Sequence, residues 1–202
     1  MPKDVQIEKA EYVRPIKGEH QTYRPEIKGD ENAIRHAARM MAAAERPIIY
    51  SGGGVINSGP EASKLLRDFA AMTGFPVTST LMGLGAFPAS NKQFLGMLGM
   101  HGTWESNQAM HDCDVMFAIG SRFDDRVTAV VEKFSPGSKK IHVDIDLSSI
   151  NKNVSVDIGI VGDATAVLQQ LMDVWQEEGL SSNKSAIKKW WIQIDQCRAK
   201  KC

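Results

Sequence analysis

The chain reads as an α/β fold: a doubly wound, mostly parallel, six-stranded sheet of Rossmann-like type. Three observations predict it. Short apolar runs recur near residues 48, 77, 116, 142 and 158, and a short sixth strand fits 94–98. Most of these runs are separated by segments with apolar residues at helical spacing. Several runs break at their carboxyl ends into glycine or charge, which is where open parallel sheets place their ligands.

Composition bounds the function. The 202 residues suffice for one well-buried domain with a linker or tail besides. Twenty-four basic residues balance twenty-four acidic ones. No overall basic field draws in nucleic acid, and no acidic excess marks a disordered tail. Three cysteines, Cys113, Cys197 and Cys202, lack C-x-x-C spacing. They point to a reducing compartment and away from a zinc cluster. No apolar run reaches membrane-spanning length, and the N-terminus lacks a signal-peptide core. The expectation is a soluble cytoplasmic protein or fragment with no nucleic-acid or membrane partner.

Residues 1–29 are punctuated by Pro2, Pro15, Gly18, Pro25 and Gly29 and read as a linker from an upstream domain. The domain proper spans 30–179. Asp30 is a helix N-cap before Ile34, Ala37, Ala38, Met41 and Ala42, and Pro47 stops that helix. A strand at 47–50 runs into Ser51-Gly52-Gly53-Gly54. The glycines permit a tight turn and close ligand approach; they equally suit the turn alone. Gly59-Pro60 opens a helix carrying Leu65, Leu66 and Phe69, closed by Gly74. The dinucleotide fingerprint G-x-G-x-x-G fails at Asn57. The strand at 76–80 supplies no acid for an NAD ribose. A phosphate-bearing ligand stays open.

Two loops, 81–88 and 94–102, are apolar and glycine-rich and hold Met82, Met97 and Met100. They suit a flat cofactor ring, or alternatively cover the core. His101, His111, Asp112 and Asp114 show no metal-binding spacing. Thr103 caps a helix to Cys113. The strand at 115–119 then breaks at Gly120 and releases Ser121, Arg122, Asp124, Asp125 and Arg126. A ligand site and a self-neutralising charged turn both fit these residues. A short helix fits 127–134. The strand at 140–146 brings Asp144 to a carboxyl end, where a carboxylate accepts ribose hydroxyls. A last strand at 156–161 leads through Gly162 to Asp163, which caps a helix at 164–178 ended by Gly179. The tail, 180–202, carries Lys184, Lys188, Lys189, Arg198, Lys200 and Lys201 around Trp190, Trp191, Ile192 and Ile194. It reads as a linker whose exposed tryptophans rest on a neighbouring domain, with a membrane-surface helix as the alternative.

Five segments together resemble one family. R-P-I-I-Y-S-G-G-G, T-S-T-L-M-G-L-G, M-L-G-M-H-G-T, I-G-S-R-F-D-D-R-V-T and H-V-D-I-D occur in order over about residues 30–178. They are similar to the catalytic subunits of acetohydroxyacid (acetolactate) synthases. The resemblance implies the central domain of a three-domain thiamine-diphosphate enzyme that condenses pyruvate with a second 2-ketoacid for branched-chain amino acid biosynthesis. It implies FAD held by this domain without a net redox role, and thiamine diphosphate and magnesium bound by other domains. No metal ligand falls here, and this segment alone is expected to be inactive.

Matched by motif, the implied FAD contacts are Gly52, Gly53, Gly54, Thr80, Leu81, Leu98, Gly99, Met100 and His101. They continue through Gly120, Ser121, Arg122, Phe123 and Asp124 to Asp144, Ile145, Asp163 and Ala164. Arg126 resembles the arginine at the channel mouth that receives the second ketoacid. Asp125 and Met100 resemble its neighbours at the herbicide site. Ser121 departs from the small or apolar residue usual there. The implied partners are the flanking domains, further copies in a homo-oligomer, and a small regulatory subunit. Two other readings stay open: a spacer domain of another thiamine-diphosphate enzyme, binding a different nucleotide or none, and a free-standing NAD enzyme of deacylase type.

Overall fold

The computed structural model describes residues 6–9, 11–14 and 25–200. Most of the expected linker at 1–29 lies outside the described residues, as do Lys201 and Cys202. Helix α1 (Glu31–Ala42) starts where Asp30 accepts a hydrogen bond from the Ala33 amide at 2.8 Å. It turns Ile34, Ala37, Ala38 and Met41 inward. Strand β1 (Pro47–Ser51) leads through the five-residue helix α2 (Gly53–Asn57) to α3 (Pro60–Thr73). Gly74 ends α3 at φ 77°, the left-handed conformation that glycine adopts without strain. Then follow β2 (Val77–Ser79), β3 (Phe94–Met97), α4 (Trp104–Asp112), β4 (Val115–Ile119) and α5 (Asp125–Thr128). The chain continues through β5 (Lys139–Asp144), β6 (Ile158–Val161), α6 (Ala164–Glu177) and α7 (Lys184–Arg198).

The six strands are ordered β3-β2-β1-β4-β5-β6, and every pairing is parallel. The chain winds outward from β1 to β3, then returns to β4 on the other side of β1. Strand order therefore reverses between β1 and β4, and the carboxyl ends of these two strands border the crevice. All residues of both strands are buried, as expected of parallel strands covered on two faces. Alternation divides the core. Ile49, Phe117, Ile119 and Val143 face α1, α3 and α6. Ile48, Tyr50, Met116 and Ala118 face α4 and α7.

Two expectations change. The helix expected at 127–134 is broken. Helix α5 is one turn, Ala129 sits at φ 49°, and a separate 3-10 turn covers Val131–Lys133. An alanine with positive φ cannot continue a right-handed helix. The tail does not carry exposed tryptophans awaiting a neighbour. Helix α7 packs on α4 and on the sheet, and Trp190 is only 2% exposed. The Trp190 indole donates to the Pro47 carbonyl and the Trp191 indole to that of Gly74, each at 2.9 Å. Ile187, Trp190 and Ile194 form the inward stripe, while the lysines keep the outer face in water. Arg198 donates to the Lys92 and Phe94 carbonyls beside the open edge of β3, which blunts that edge against pairing. No helix of the described residues is long and apolar enough to cross a membrane.

Candidate functional site

The loops after β1, β2 and β4 meet at backbone contact. The Gly52 amide donates to Ile119 at 2.8 Å and the Gly54 amide to Gly120 at 3.0 Å. Gly120, at φ 62°, donates in turn to Val143 at 2.8 Å. A Cβ on Gly52 would collide with the Gly120 carbonyl, and one on Gly54 would lie 2.6 Å from the Gly120 Cα. Two of the three glycines are thus required by chain meeting chain. Gly83, absent from the sequence-based candidates, is required in the same way: its Cβ would sit 2.5 Å from the Ser51 carbonyl oxygen. The loops form one floor beneath the β1–β4 crevice.

Two apolar groups rise from this floor. Thr80 accepts from the Gly83 amide at 2.9 Å, closing a 3-10 turn that sets Leu81 and Met82 68% and 74% exposed. In the neighbouring loop the Met100 amide donates to the Arg126 carbonyl at 3.3 Å, and the Met100 side chain is 69% exposed. Leu81, Met82 and Met100 therefore do not cover the core. Leu98 does: its side chain is buried, and its neighbour Gly99 is tied to Asn107 in α4. His101 is exposed. On the far side of the crevice, Ile145 and Leu147 present a second exposed apolar group after β5.

Between them stands the charged loop. Arg122 donates to Asp124 at 3.0 Å, and both side chains are largely in solvent. Asp125 and Arg126 on α5 are exposed too. Phe123, the residue between Arg122 and Asp124, behaves oppositely. It sits at φ 52° with its ring buried against Tyr50, Phe134 and His142, at centroid distances of 5.9, 5.8 and 4.9 Å. Register explains the fit. Tyr50, Ala118 and His142 are aligned across β1, β4 and β5. The small alanine between two large rings leaves room for the phenyl group. A ligand at this edge meets only the backbone of Phe123 and Leu98, because their side chains belong to the core.

His142 was missed by sequence reasoning as a site residue. It is fully buried, and its Nε2–H donates to the Ser121 carbonyl at 2.6 Å. Burial pushes its pKa below the usual histidine value, opposed by that bond. Its Nδ1, the Ser121 Oγ and the Tyr50 hydroxyl are buried without hydrogen-bond partners among the described residues. Burial, with a smaller push from the Asp124 carboxylate, drives the Tyr50 pKa up. Buried polar groups in native proteins are nearly always paired. Three such atoms around one ring mark an incompletely satisfied polar patch beneath the Arg122 loop. The sequence signal was a histidine between Ile141 and Val143 in the middle of a strand.

Asp144 and Asp163 differ. Asp144 accepts from the Asp146 amide through Oδ1 alone, leaving Oδ2 with no partner among the described residues. Asp146 holds its own carboxyl below the usual range through bonds from Ser148. Asp163 is engaged at both oxygens: Oδ1 accepts from Thr165 and Ala166 at the start of α6, and Oδ2 from the Ser58 hydroxyl at 2.7 Å. Ala164 is buried behind it. The whole edge is an apolar group, a cation and a second apolar group laid across the switch point.

Comparisons with known proteins bear on this edge. The family model described as "Thiamine pyrophosphate enzyme, central domain" matches residues 34–171. The chain is 48% identical over 191 residues to the acetolactate synthase large subunit of Haemophilus influenzae, covering 95% of this chain and 33% of the relative. It is 43% identical over 204 residues to the acetolactate synthase isozyme 3 large subunit of Escherichia coli, covering 100% and 35%. Against the acetolactate synthase of Mycobacterium avium it is 43% identical over 195 residues, covering 96% and 31%. The chain thus spans about a third of the length of the curated relatives it matches.

Proposed function

Because the chain belongs to the family of thiamine pyrophosphate enzyme central domains, we propose that it is the central domain of an acetolactate synthase and binds FAD along the carboxyl edge of its sheet. One observation carries the flavin reading: the apolar–cation–apolar sequence across the β1–β4 crevice matches two ring systems joined by a pyrophosphate. Exposed Leu81, Met82 and Met100 shield one ring from water, and Ile145 and Leu147 shield the other. Arg122 supplies charge-assisted hydrogen bonds to phosphate oxygens, exchanging its exposed partner Asp124 for the ligand. The unpaired Oδ2 of Asp144 accepts from a ribose hydroxyl. Gly53, the one glycine of the turn that Gly120 does not touch, lets the Met82 turn pack close, since a Cβ there would lie 3.1 Å from the Met82 Cβ.

In this reading FAD has no net redox role, and the carboligation of pyruvate with a second 2-ketoacid is the chemistry of thiamine diphosphate with magnesium, held by domains outside this segment. Arg126 and Asp125, beside exposed Met100, line the entry for the second ketoacid. Residues 1–29 and 180–202 lead toward the flanking domains of one subunit. That subunit assembles as a cytoplasmic homo-oligomer with a small regulatory subunit. One observation favours the spacer alternative: Gly52 and Gly54 are explained by contact with Gly120, without a ligand.

Titration with FAD, followed by flavin fluorescence, separates the two. Saturable binding, weakened in Arg122→Ala by about 1.5–3 kcal/mol, supports the flavin site. A cooperative thermal transition without flavin binding supports the spacer. In the assembled enzyme, Arg126→Ala is expected to spare FAD and lower carboligation with the second ketoacid. Normal turnover there would remove Arg126 from the channel.

A further inference from the structure

A cavity of about 750 Å3 opens where the carboxyl ends of α3 and α6 meet the start of α7. Those helix ends lie at the amino edge of the sheet, across the domain from the Arg122 loop. The volume falls in the range of small-molecule sites. Its lining mixes apolar Met72, Trp175, Ile187 and Trp191 with polar Thr73, Gln176 and Ser181, and Trp175 and Ile187 are themselves buried. Among the described residues Lys184 and Lys188 are its charged lining groups, and no carboxylate of those residues lines it. The two lysines stand one turn apart on α7, and neither has an ion pair or hydrogen bond among the described residues. Beside them the Ser182 Oγ is buried without a hydrogen-bond partner among the described residues.

These groups ask for one kind of occupant. Trp191 and Met72 present apolar area to a ring or a branched chain, while Trp175 is buried against Phe69 and Phe75. The lysines present two positive charges, and no acid stands among the described lining residues to neutralise them. A neutral apolar molecule would leave the two lysine charges unmatched, and a cation would be repelled by them. We propose that this cavity binds an amphipathic monocarboxylate, with the apolar body against Trp191 and Met72 and the carboxylate at Lys184 and Lys188. The site is separate from the carboxyl edge, so it stands whether or not that edge holds FAD.

The test uses 4-phenylbutyrate titrated into the full chain, followed by calorimetry and by tryptophan fluorescence. Saturable one-to-one binding with a change in indole emission is expected. The double variant Lys184→Ala/Lys188→Ala is expected to bind roughly tenfold more weakly, as is the neutral amide of the same acid toward the native chain. Ala71→Trp fills the cavity from its exposed rim and is expected to abolish binding with an unchanged melting temperature. Saturating FAD is expected to leave the affinity as it was. Absence of saturation, equal affinity for the amide, native affinity in either variant, or competition with FAD would each overturn the proposal.

Discussion

The two edges of the sheet satisfy their buried polar groups to different degrees. At the amino edge the Asp114 carboxylate accepts from the Glu45 and Arg46 amides at 2.8 Å. The Gln93 amide bridges the Ala70 and Phe75 carbonyls. Buried Lys140 donates to the Ser135 and Ser138 carbonyls, and two indoles find carbonyls of their own. Ser182, at the cavity, is the exception. At the carboxyl edge, Tyr50, Ser121 and His142 each leave a buried atom unpaired among the described residues, beneath a loop that holds Phe123 at positive φ. A matched edge contributes rigidity, whereas an unmatched and strained one keeps groups in reserve for water or a ligand.

Substitutions can break or sharpen this contrast. The largest stability loss belongs to the amino edge. Trp190→Ala removes a buried ring and strands the Pro47 carbonyl, and is expected to cost about 3–5 kcal/mol, read from urea unfolding. A loss below 1 kcal/mol would show that α7 is an appendage. Gly52→Ala drives a methyl group into the Gly120 carbonyl and is expected to cost about 1–3 kcal/mol while displacing the Arg122 loop. Native stability with native flavin affinity would show that the floor yields easily.

A smaller effect depends on pH. The folded pKa of His142 is depressed, so the unfolded chain takes up the proton first as pH falls. The stability associated with neutral His142 is complete above the ordinary value of about 6.5 and is lost as pH falls from there toward the folded pKa. His142→Gln retains a donor for the Ser121 carbonyl and removes the titration. The fall in urea midpoint between neutral and mildly acidic buffer is expected to shrink in that variant. An identical fall would assign the acid sensitivity to other groups. Smallest of all, Arg122→Ala is expected to leave the melting temperature unchanged, because an exposed ion pair contributes little. Its effect belongs to flavin affinity alone.

Legibility followed locality. The caps at Asp30, Thr103 and Asp163 stand where the sequence places them, each accepting from an amide two or three residues on. The break at Gly120 and the stop at Gly74 follow from glycine's access to positive φ. The five-motif resemblance to acetolactate synthases agrees with the matched family and relatives. What failed was also local in form. The segment 127–134 carries Val127, Val130, Val131 and Phe134 at helical spacing, yet it breaks at Ala129, leaving Val130 and Val131 exposed while Phe134 packs against Phe123. The tail shows tryptophans among lysines, a pattern that describes a buried helix face and an interface equally well. Asp163 shows the limit at the site: its capping role was readable from the sequence, but its bond to Ser58 was not.

The sequence alone determined the α/β class, the succession of strands and helices, and the gathering of glycine and charge at strand ends. Those features rest on periodicity and on hydrogen bonds spanning a few residues. Tertiary structure alone decided that Gly52 and Gly54 serve Gly120, and that Phe123 closes over Ala118 between Tyr50 and His142. It also decided that Trp190 belongs to the core and that a cavity opens beside α7. Each of these is a contact between segments far apart in the chain, set by strand register and by the side chains that two layers can bury together.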